Sequence, residues 1–250
     1  MVADEKDLSI DALTMDCLRL LDHVLPDNEV NRSVPIILIG HSMGGGVAVH
    51  VASNSCMKDR VKGLIVIDVV EGSALESLNV MMNVLRRRPT HFYDLEDAID
   101  WRWATLGGVT RSLNSHLLHN RASALVSIPD QLVQKDDAYV WRTNLFDTQP
   151  YWKGWYENMS NLYLQAPAVK MLVLAGRERL DTPLTIGHMQ GKFQLVLMNG
   201  MGHYIQEDAP EELGRTLKRY LDRYNFIGGL SESDALQQRI KRERAMLYGM

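Results

Sequence analysis

The sequence IILIGHSMGGGVAVH, residues Ile36 to His50, decides the fold. An apolar run leads into a corner with Ser42 at its tip, and small residues then open a helix. The five residues 40–44 match the G-x-S-x-G pattern of a nucleophile elbow, a strained turn that joins a buried strand to a helix. The pattern predicts an exposed Ser42 hydroxyl, and the N–H of Met43 is expected to point to where an oxyanion would form.

The segments on both sides of this stretch predict an α/β fold. Short apolar runs, which are typical of strands buried on both faces of a parallel sheet, occur at residues 34–39, 61–69, 170–175 and 193–198. Helical periodicity is expected over residues 10–25, capped by Ser9, and over residues 43–53 and 210–224. Strands that alternate with helices indicate a mainly parallel sheet with flanking helices.

A long segment separates the second and third apolar runs. Residues 72–169 are rich in Arg and Trp, are prone to form helices and are too long for a simple connection. We interpret them as a helical insertion, or lid, with little strand character and with residues 130–137 as its most flexible part. We predict one α/β domain over residues 1–227 and a polar helical tail with a basic middle over residues 228–250.

A serine hydroxyl is a weak nucleophile unless a base takes its proton. His203 is the predicted base, because it lies in the loop NGMGHYIQEDAPEEL between the last apolar run and the last helix. The acid that holds the base has two candidates. Asp68 ends the run at 61–69, and Asp181 follows the next strand in LAGRERLDTPL, so that spacing alone leaves both open.

Composition excludes several classes of function. The chain has 250 residues, a net charge of −4 and 46% hydrophobic residues. Because no basic stripe carries interleaved aromatic residues, nucleic-acid binding is not expected. The two cysteines, Cys17 and Cys56, suit a reducing compartment, and neither a long apolar run nor a signal-peptide pattern is present. We therefore expect no membrane association and a cytoplasmic location, with the nucleus as an alternative.

Several longer motifs carry a specific resemblance. They are PIILIGHSMGGGVAVHVAS, GLIVIDVVEGSALESLN, RRRPTHFYDLEDAIDW, YWKGWYENMSNLYL, LAGRERLDTPLTIGHMQGKFQLVL and GHYIQEDAPEEL. Together, from about Asp7 to Phe226, they resemble the protein phosphatase methylesterases. These α/β hydrolases remove the methyl ester from the C-terminal leucine of the catalytic subunit of type 2A protein phosphatases.

The resemblance implies an α/β-hydrolase fold and a serine esterase that demethylates this phosphatase subunit, its protein partner. It favours Asp68 as the acid and leaves Asp181 as the alternative acid. It implies Ser42 as nucleophile, His203 as base and Met43 as oxyanion donor, and it requires neither a metal nor an organic cofactor. The alternatives are a serine hydrolase of small esters and an inactive chain that only binds a phosphatase.

The sequence departs from the family at its start. The family has several strands and a glycine-rich HGGG-type loop before the nucleophile strand, and this loop supplies a second oxyanion N–H. Neither precedes Val34 in this sequence. We therefore expect a partial fold in which the strand at 34–39 lies at the edge of the sheet. Low stability and weak or absent activity are the predicted consequences.

Overall fold

The computed structural model describes residues 7–26, 34–105, 121–176 and 180–226 of the chain. The strands are β1 Ile36–His41, β2 Val61–Ile67, β3 His91–Phe92, β4 Leu132–Lys135, β5 Ala138–Trp141, β6 Val169–Leu174 and β7 Gln194–Leu197. The helices are α1 Ile10–Val24, α2 Met43–Ser53, α3 Glu71–Arg86, α4 Leu95–Thr105, α5 Arg121–Ser127, α6 Trp152–Tyr156, α7 Met159–Gln165, α8 Thr182–Met189, α9 Ile205–Asp208 and α10 Pro210–Arg223. Helices therefore follow most strands of the main sheet.

Four strands form this main sheet in the order β1-β2-β6-β7, and all neighbouring pairs are parallel. The central strand β2 is apolar on both faces, and Leu64, Ile65 and Val66 are each 0% exposed. Two-sided burial explains why this strand reads as a continuous apolar run rather than as an alternating one. The predicted α/β class with a mainly parallel sheet is confirmed.

The first strand lies at the end of the sheet, as the sequence predicts. Within the described ranges, β1 pairs with β2 alone, and Ile39 is 49% exposed. Helix α1 begins at the predicted cap, where the Ser9 hydroxyl accepts a hydrogen bond from the Ala12 N–H at 3.2 Å. Leu13 and Leu21 of α1 pack against the same apolar core as α2.

The insertion contains more strand than the sequence indicates. Strands β3, β5 and β4 form a separate three-stranded antiparallel sheet. Two residues, Asp136 and Asp137, connect β4 to β5, and Asp136 takes a φ of 53°, which suits a two-residue hairpin turn. The prediction of little strand character is therefore wrong, and the polar part around residues 130–137 forms a hairpin. Its strands are only four residues long, too short for a clear alternating pattern.

The chain divides into two compact units, Met1–Ala209 and Pro210–Met250. In the second unit, α10 ends beside a group of three aromatic rings, Tyr220, Tyr224 and Phe226, whose centroids lie 5.1 to 6.2 Å apart. The predicted tail at 228–250 lies outside the described residues, so its helical structure and the domain boundary at 227 stay predictions. None of the described helices has the length and apolar character needed to cross a membrane.

Candidate active site

Ser42 occupies a sharp turn between β1 and α2. Its backbone has φ 52° and ψ −124°, a conformation that L-residues rarely adopt. The Ser42 N–H donates a 3.0 Å hydrogen bond to the carbonyl oxygen of Ile67 on the neighbouring strand, which holds the turn against the sheet. A Cβ at Gly40 would overlap the carbonyl oxygen of Gly44, whereas a Cβ at Gly44 would meet open space. The steric need for glycine in this elbow therefore falls on Gly40.

The structure brings Ser42, His203 and Asp68 into one hydrogen-bonded chain. His203 Nε2 lies 2.9 Å from Ser42 Oγ, and His203 Nδ1 lies 2.9 Å from Asp68 Oδ2. The tautomer with the proton on Nδ1 satisfies both contacts, because Nδ1–H then donates to Asp68 and Nε2 accepts the Ser42 hydroxyl. The Asp68 side chain is 0% exposed, and its Oδ1 accepts a hydrogen bond from the Ala175 N–H at 2.9 Å. This arrangement can transfer a proton from Ser42 to an oriented imidazole.

Asp68 reaches His203 because of where its strand ends. It directly follows β2, its N–H donates to the Val173 carbonyl oxygen on β6, and its φ is 51°. Ser42 follows the adjacent strand β1 at the same edge of the sheet. Carboxyl ends of neighbouring parallel strands meet at one edge, which is where sites of open α/β sheets lie.

Asp181, the alternative acid, has a different set of partners. It caps α8, with Oδ1 accepting the Leu184 N–H at 3.0 Å. Its Oδ2 accepts the Ser160 hydroxyl at 2.6 Å and the Gly72 N–H at 3.4 Å. These contacts join α3, α7 and α8. The structure therefore places Asp181 at a junction of three helices. The hydrogen bonds of its carboxylate go to Leu184, Ser160 and Gly72, whereas His203 Nδ1 pairs with Asp68.

His41 supports the loop that carries His203. Its Nε2–H donates to the His203 carbonyl oxygen at 2.7 Å, and the two imidazole rings lie 4.7 Å apart. Burial is the main reason that the pKa of His41 falls from 6.5 to about 4, and electrostatic repulsion from His203 is the second. His41 is consequently neutral at neutral pH and adds no positive charge next to His203. The sequence places His41 beside the serine but gives no sign of this contact.

Tyr156, at the end of α6, is a site residue that reasoning from the sequence missed. Its side chain is buried, and its hydroxyl hydrogen-bonds the Ser42 side chain. Burial raises the pKa of Tyr156 and outweighs the smaller lowering by the hydrogen bond with Ser42, so the Tyr156 O–H remains protonated and can donate. Met43, the predicted oxyanion donor, is the first residue of α2, and N–H groups of a first helical turn have no acceptor within the helix. Nothing in the motif YWKGWYENM marks Tyr156 in advance, because the link to Ser42 spans more than 100 residues.

A cavity of about 500 Å³ opens beside the elbow. Met43 and Tyr156 line one part of it, and the insertion supplies apolar walls that include Leu78, Met81 and Trp152. Its polar boundary holds a few charged groups from the insertion: Arg88, Asp130 and Arg142. A mostly apolar cavity with few polar groups is typical of a small-molecule or side-chain binding site. In the ranges that the structure describes, no three His, Cys, Asp or Glu side chains come together as a metal site would require.

Comparison with known proteins places the chain in a family. Residues 3–216 match the model of the "Alpha/beta hydrolase family". The chain is 41% identical to protein phosphatase methylesterase 1 of Schizosaccharomyces pombe over 88% of its own length and 61% of that protein. It is 36% identical to protein phosphatase methylesterase 1 of Bos taurus, covering 91% of this chain and 68% of the relative.

A solved structure shares the fold at lower identity. The crystal structure of E-2-(acetamidomethylene)succinate hydrolase superposes with a TM-score of 0.63 at 17% identity, covering 88% of this chain and 76% of that one. The curated relatives are longer, and the chain spans 61% of the Schizosaccharomyces pombe protein and 49% of the one from Yarrowia lipolytica. From the family match and the identity to these relatives, the chain belongs to the α/β-hydrolase family and, within it, to the protein phosphatase methylesterases.

Proposed function

We propose that the chain is a serine esterase that removes the methyl ester from the C-terminal leucine of the type 2A protein phosphatase catalytic subunit. The observation that carries this proposal is the hydrogen-bonded chain Ser42–His203–Asp68, with both contacts to His203 at 2.9 Å, in a member of the methylesterase family. The relatives' name identifies a phosphatase as their substrate, and we extend that substrate to this chain.

The geometry supports acyl transfer in two steps. His203 Nε2 takes the proton of Ser42 Oγ, which attacks the ester carbonyl and forms a tetrahedral intermediate. Asp68 holds Nδ1–H and stabilises the imidazolium that forms. His203 then gives its proton to the leaving methoxide, and methanol departs. A water molecule attacks the acyl-enzyme by the same route and releases the free C-terminal carboxylate and Ser42.

Donors near Ser42 would stabilise the developing negative charge. The Met43 N–H lies at the N-terminus of α2, where the helix dipole is positive, and it would face the oxyanion. The Tyr156 hydroxyl already contacts the Ser42 side chain and can donate to a charged oxygen there. The apolar walls of the adjacent cavity suit the leucine side chain of the ester. On the basis of these positions, we assign Met43 and Tyr156 to oxyanion stabilisation and the apolar cavity walls to binding of the leucine side chain.

The direct test is to incubate the purified chain with a methylated phosphatase catalytic subunit and with its C-terminal peptide methyl ester. We expect the methyl group to be lost, and mass spectrometry measures this loss. Ser42→Ala removes the nucleophile and should lower turnover by about 10⁶-fold, while circular dichroism stays unchanged.

Two outcomes would contradict the proposal. Turnover of short acyl esters without turnover of the peptide methyl ester would favour a serine hydrolase of small esters. Failure of Ser42 to label with a fluorophosphonate, together with phosphatase binding that Ser42→Ala leaves unchanged, would favour a chain that only binds. The expected cytoplasmic or nuclear location is a separate proposal, which imaging of a fluorescent fusion in cells would test.

A further inference from the structure

Arg88 is a charged residue in the wall of the cavity beside Ser42. It follows α3, and its guanidinium carbon lies 3.8 Å from the ring centroid of Trp141 on β5. It lines the cavity of about 500 Å³ that also touches Met43 and Tyr156. It also lines a smaller adjoining space of about 250 Å³. Arg88 therefore stands in the same cavity as the residues that flank Ser42.

The side-chain N–H groups of the neighbouring arginines have acceptors, whereas those of Arg88 have none among the described residues. Arg102 forms a two-pronged ion pair with Glu207 at 2.8 and 3.2 Å. Arg142 donates to the carbonyl oxygens of Asp130 and Leu132 at 3.0 and 3.3 Å. Among the residues that the structure describes, Arg88 makes no ion pair and no side-chain hydrogen bond, although Asp130 lines the same cavity. The cavity boundary carries two arginines and one aspartate, so its charge is net positive.

The surroundings of Arg88 make an unpaired charge costly. Burial lowers the pKa of Arg88; the nearby Tyr204 opposes this effect without cancelling it, and the positive charge of Arg102 adds to the lowering. Stacking on Trp141 satisfies a guanidinium face, but the N–H groups at its edge still need acceptors. A guanidinium edge matches the two oxygens of a carboxylate, and partly buried charges are normally paired.

We propose that Arg88 binds a carboxylate of the substrate, namely an acidic side chain of the peptide that precedes the esterified residue. This inference rests on the proposed function, because it assumes that a peptide esterified at its C-terminus binds at Ser42 and that its preceding residues lie along the cavity. The esterified residue lies beside Met43 and Tyr156, and the acidic side chain reaches the guanidinium edge of Arg88. Arg88 thereby selects acidic C-terminal peptides over neutral ones without taking part in bond cleavage.

The test compares peptide methyl esters that differ in a single charge. In one series an aspartate is moved through the upstream positions of an otherwise neutral peptide, and in a matched series asparagine replaces it. For the wild-type chain, kcat/KM should favour aspartate over asparagine at one position by about 10-fold or more. Arg88→Gln should remove this preference, so that the aspartate and asparagine peptides have equal kcat/KM. Arg87→Gln, at the exposed neighbouring position, should retain the preference.

Further variants separate recognition from structure. If Arg88 only supported Trp141, Arg88→Gln would lower the rates of both peptides equally, and that result would overturn the proposal. Arg88→Glu should reverse the preference in favour of a lysine peptide. The same peptides are also titrated against the Ser42→Ala chain by fluorescence anisotropy, and the aspartate peptide should bind more tightly only when Arg88 is present. This second measurement does not depend on turnover.

The remaining outcomes distinguish this inference from the proposed function. Equal hydrolysis of all peptide methyl esters would overturn the Arg88 site and leave the methylesterase function standing. Hydrolysis of small esters with no turnover or binding of any peptide would overturn both. A neutral peptide with a free C-terminal carboxylate is added as a competitor. Inhibition that Arg88→Gln abolishes would assign the site to the product carboxylate and overturn its assignment to the substrate side chain.

Discussion

The parallel sheet and the insertion contribute to the site in different ways. At the carboxyl edge of the sheet, backbone hydrogen bonds fix the groups in place: the Ser42 N–H bonds the Ile67 carbonyl oxygen, and the Ala175 N–H bonds Asp68. In the insertion, side chains such as Arg88 and Trp141 line a cavity through contacts with one another. The sheet edge therefore suits chemistry that needs fixed distances, and the insertion suits recognition. Substitutions at the sheet edge should lower kcat, and those in the insertion should alter KM.

After Ser42→Ala, the largest expected effect at the sheet edge comes from Asp68→Asn. The amide would stabilise the wrong tautomer of His203 and could not stabilise the imidazolium, so kcat should fall by about 10⁴-fold with little change in KM. Steady-state kinetics on a methyl ester substrate measures both quantities.

Asp181→Asn is the matched control for this substitution. It weakens the cap of α8 and the bond from Ser160, so the free energy of unfolding should fall by about 1–2 kcal/mol while kcat stays within about threefold. A 10⁴-fold loss in Asp181→Asn, with normal activity in Asp68→Asn, would reverse the assignment of the acid.

His41 predicts how stability depends on pH. Its pKa falls from 6.5 to about 4 on folding, so the unfolded chain binds more protons between these two values. The contribution of neutral His41 to stability is therefore complete above pH 6.5 and is lost as the pH falls towards 4. The shift corresponds to at most about 3 kcal/mol.

His41→Asn should flatten this dependence on pH. Urea unfolding at several pH values should show that the wild-type chain loses stability between pH 6.5 and 4 more steeply than the variant. Parallel curves for the two proteins would show that His41 does not titrate with a lowered pKa in the folded chain. Unfolding above pH 7 provides the baseline at which the imidazole is neutral in both states.

Tyr156→Phe sharpens the comparison, because Tyr156 belongs to the insertion but contacts Ser42. Loss of one hydrogen bond near the oxyanion should lower kcat by about 10-fold and leave KM within about twofold. Tyr163→Phe is the control, since it removes a buried hydroxyl of the neighbouring helix. If kcat is unchanged in Tyr156→Phe, the insertion contributes no group to the chemical step, and only residues at the sheet edge take part in it.

The sequence predicts the sheet well because its signals are local. Buried parallel strands read as apolar runs, and the turn at Ser42 needs Gly40, so the strands, the elbow and His203 could be placed from spacing. The choice between Asp68 and Asp181 could not be made this way. It depends on which strand end faces His203, a fact of three-dimensional packing that spacing alone leaves open.

The insertion was harder to predict because its contacts are long-range. Strand β3 is two residues long and pairs with β5 nearly 50 residues later. It is therefore too short to show the alternation of apolar and polar residues that would predict a strand. The contact of Tyr156 with Ser42 and the stacking of Arg88 on Trp141 likewise join distant parts of the chain. Side chains whose roles depend on such contacts carry no signal in a single sequence.

The positive φ angles of Ser42 and Asp68, 52° and 51°, bear on how the family can evolve. Each such angle at a non-glycine residue costs of the order of 1–3 kcal/mol, a large share of the stability of a small domain. Only glycine takes these angles freely, yet glycine has neither a hydroxyl nor a carboxylate. A descendant released from selection for ester cleavage would gain stability from glycine at position 42, whereas glycine at position 68 would also leave the Ala175 N–H without its acceptor. A glycine in place of Ser42 would thus mark, in sequence alone, a lineage that no longer cleaves esters.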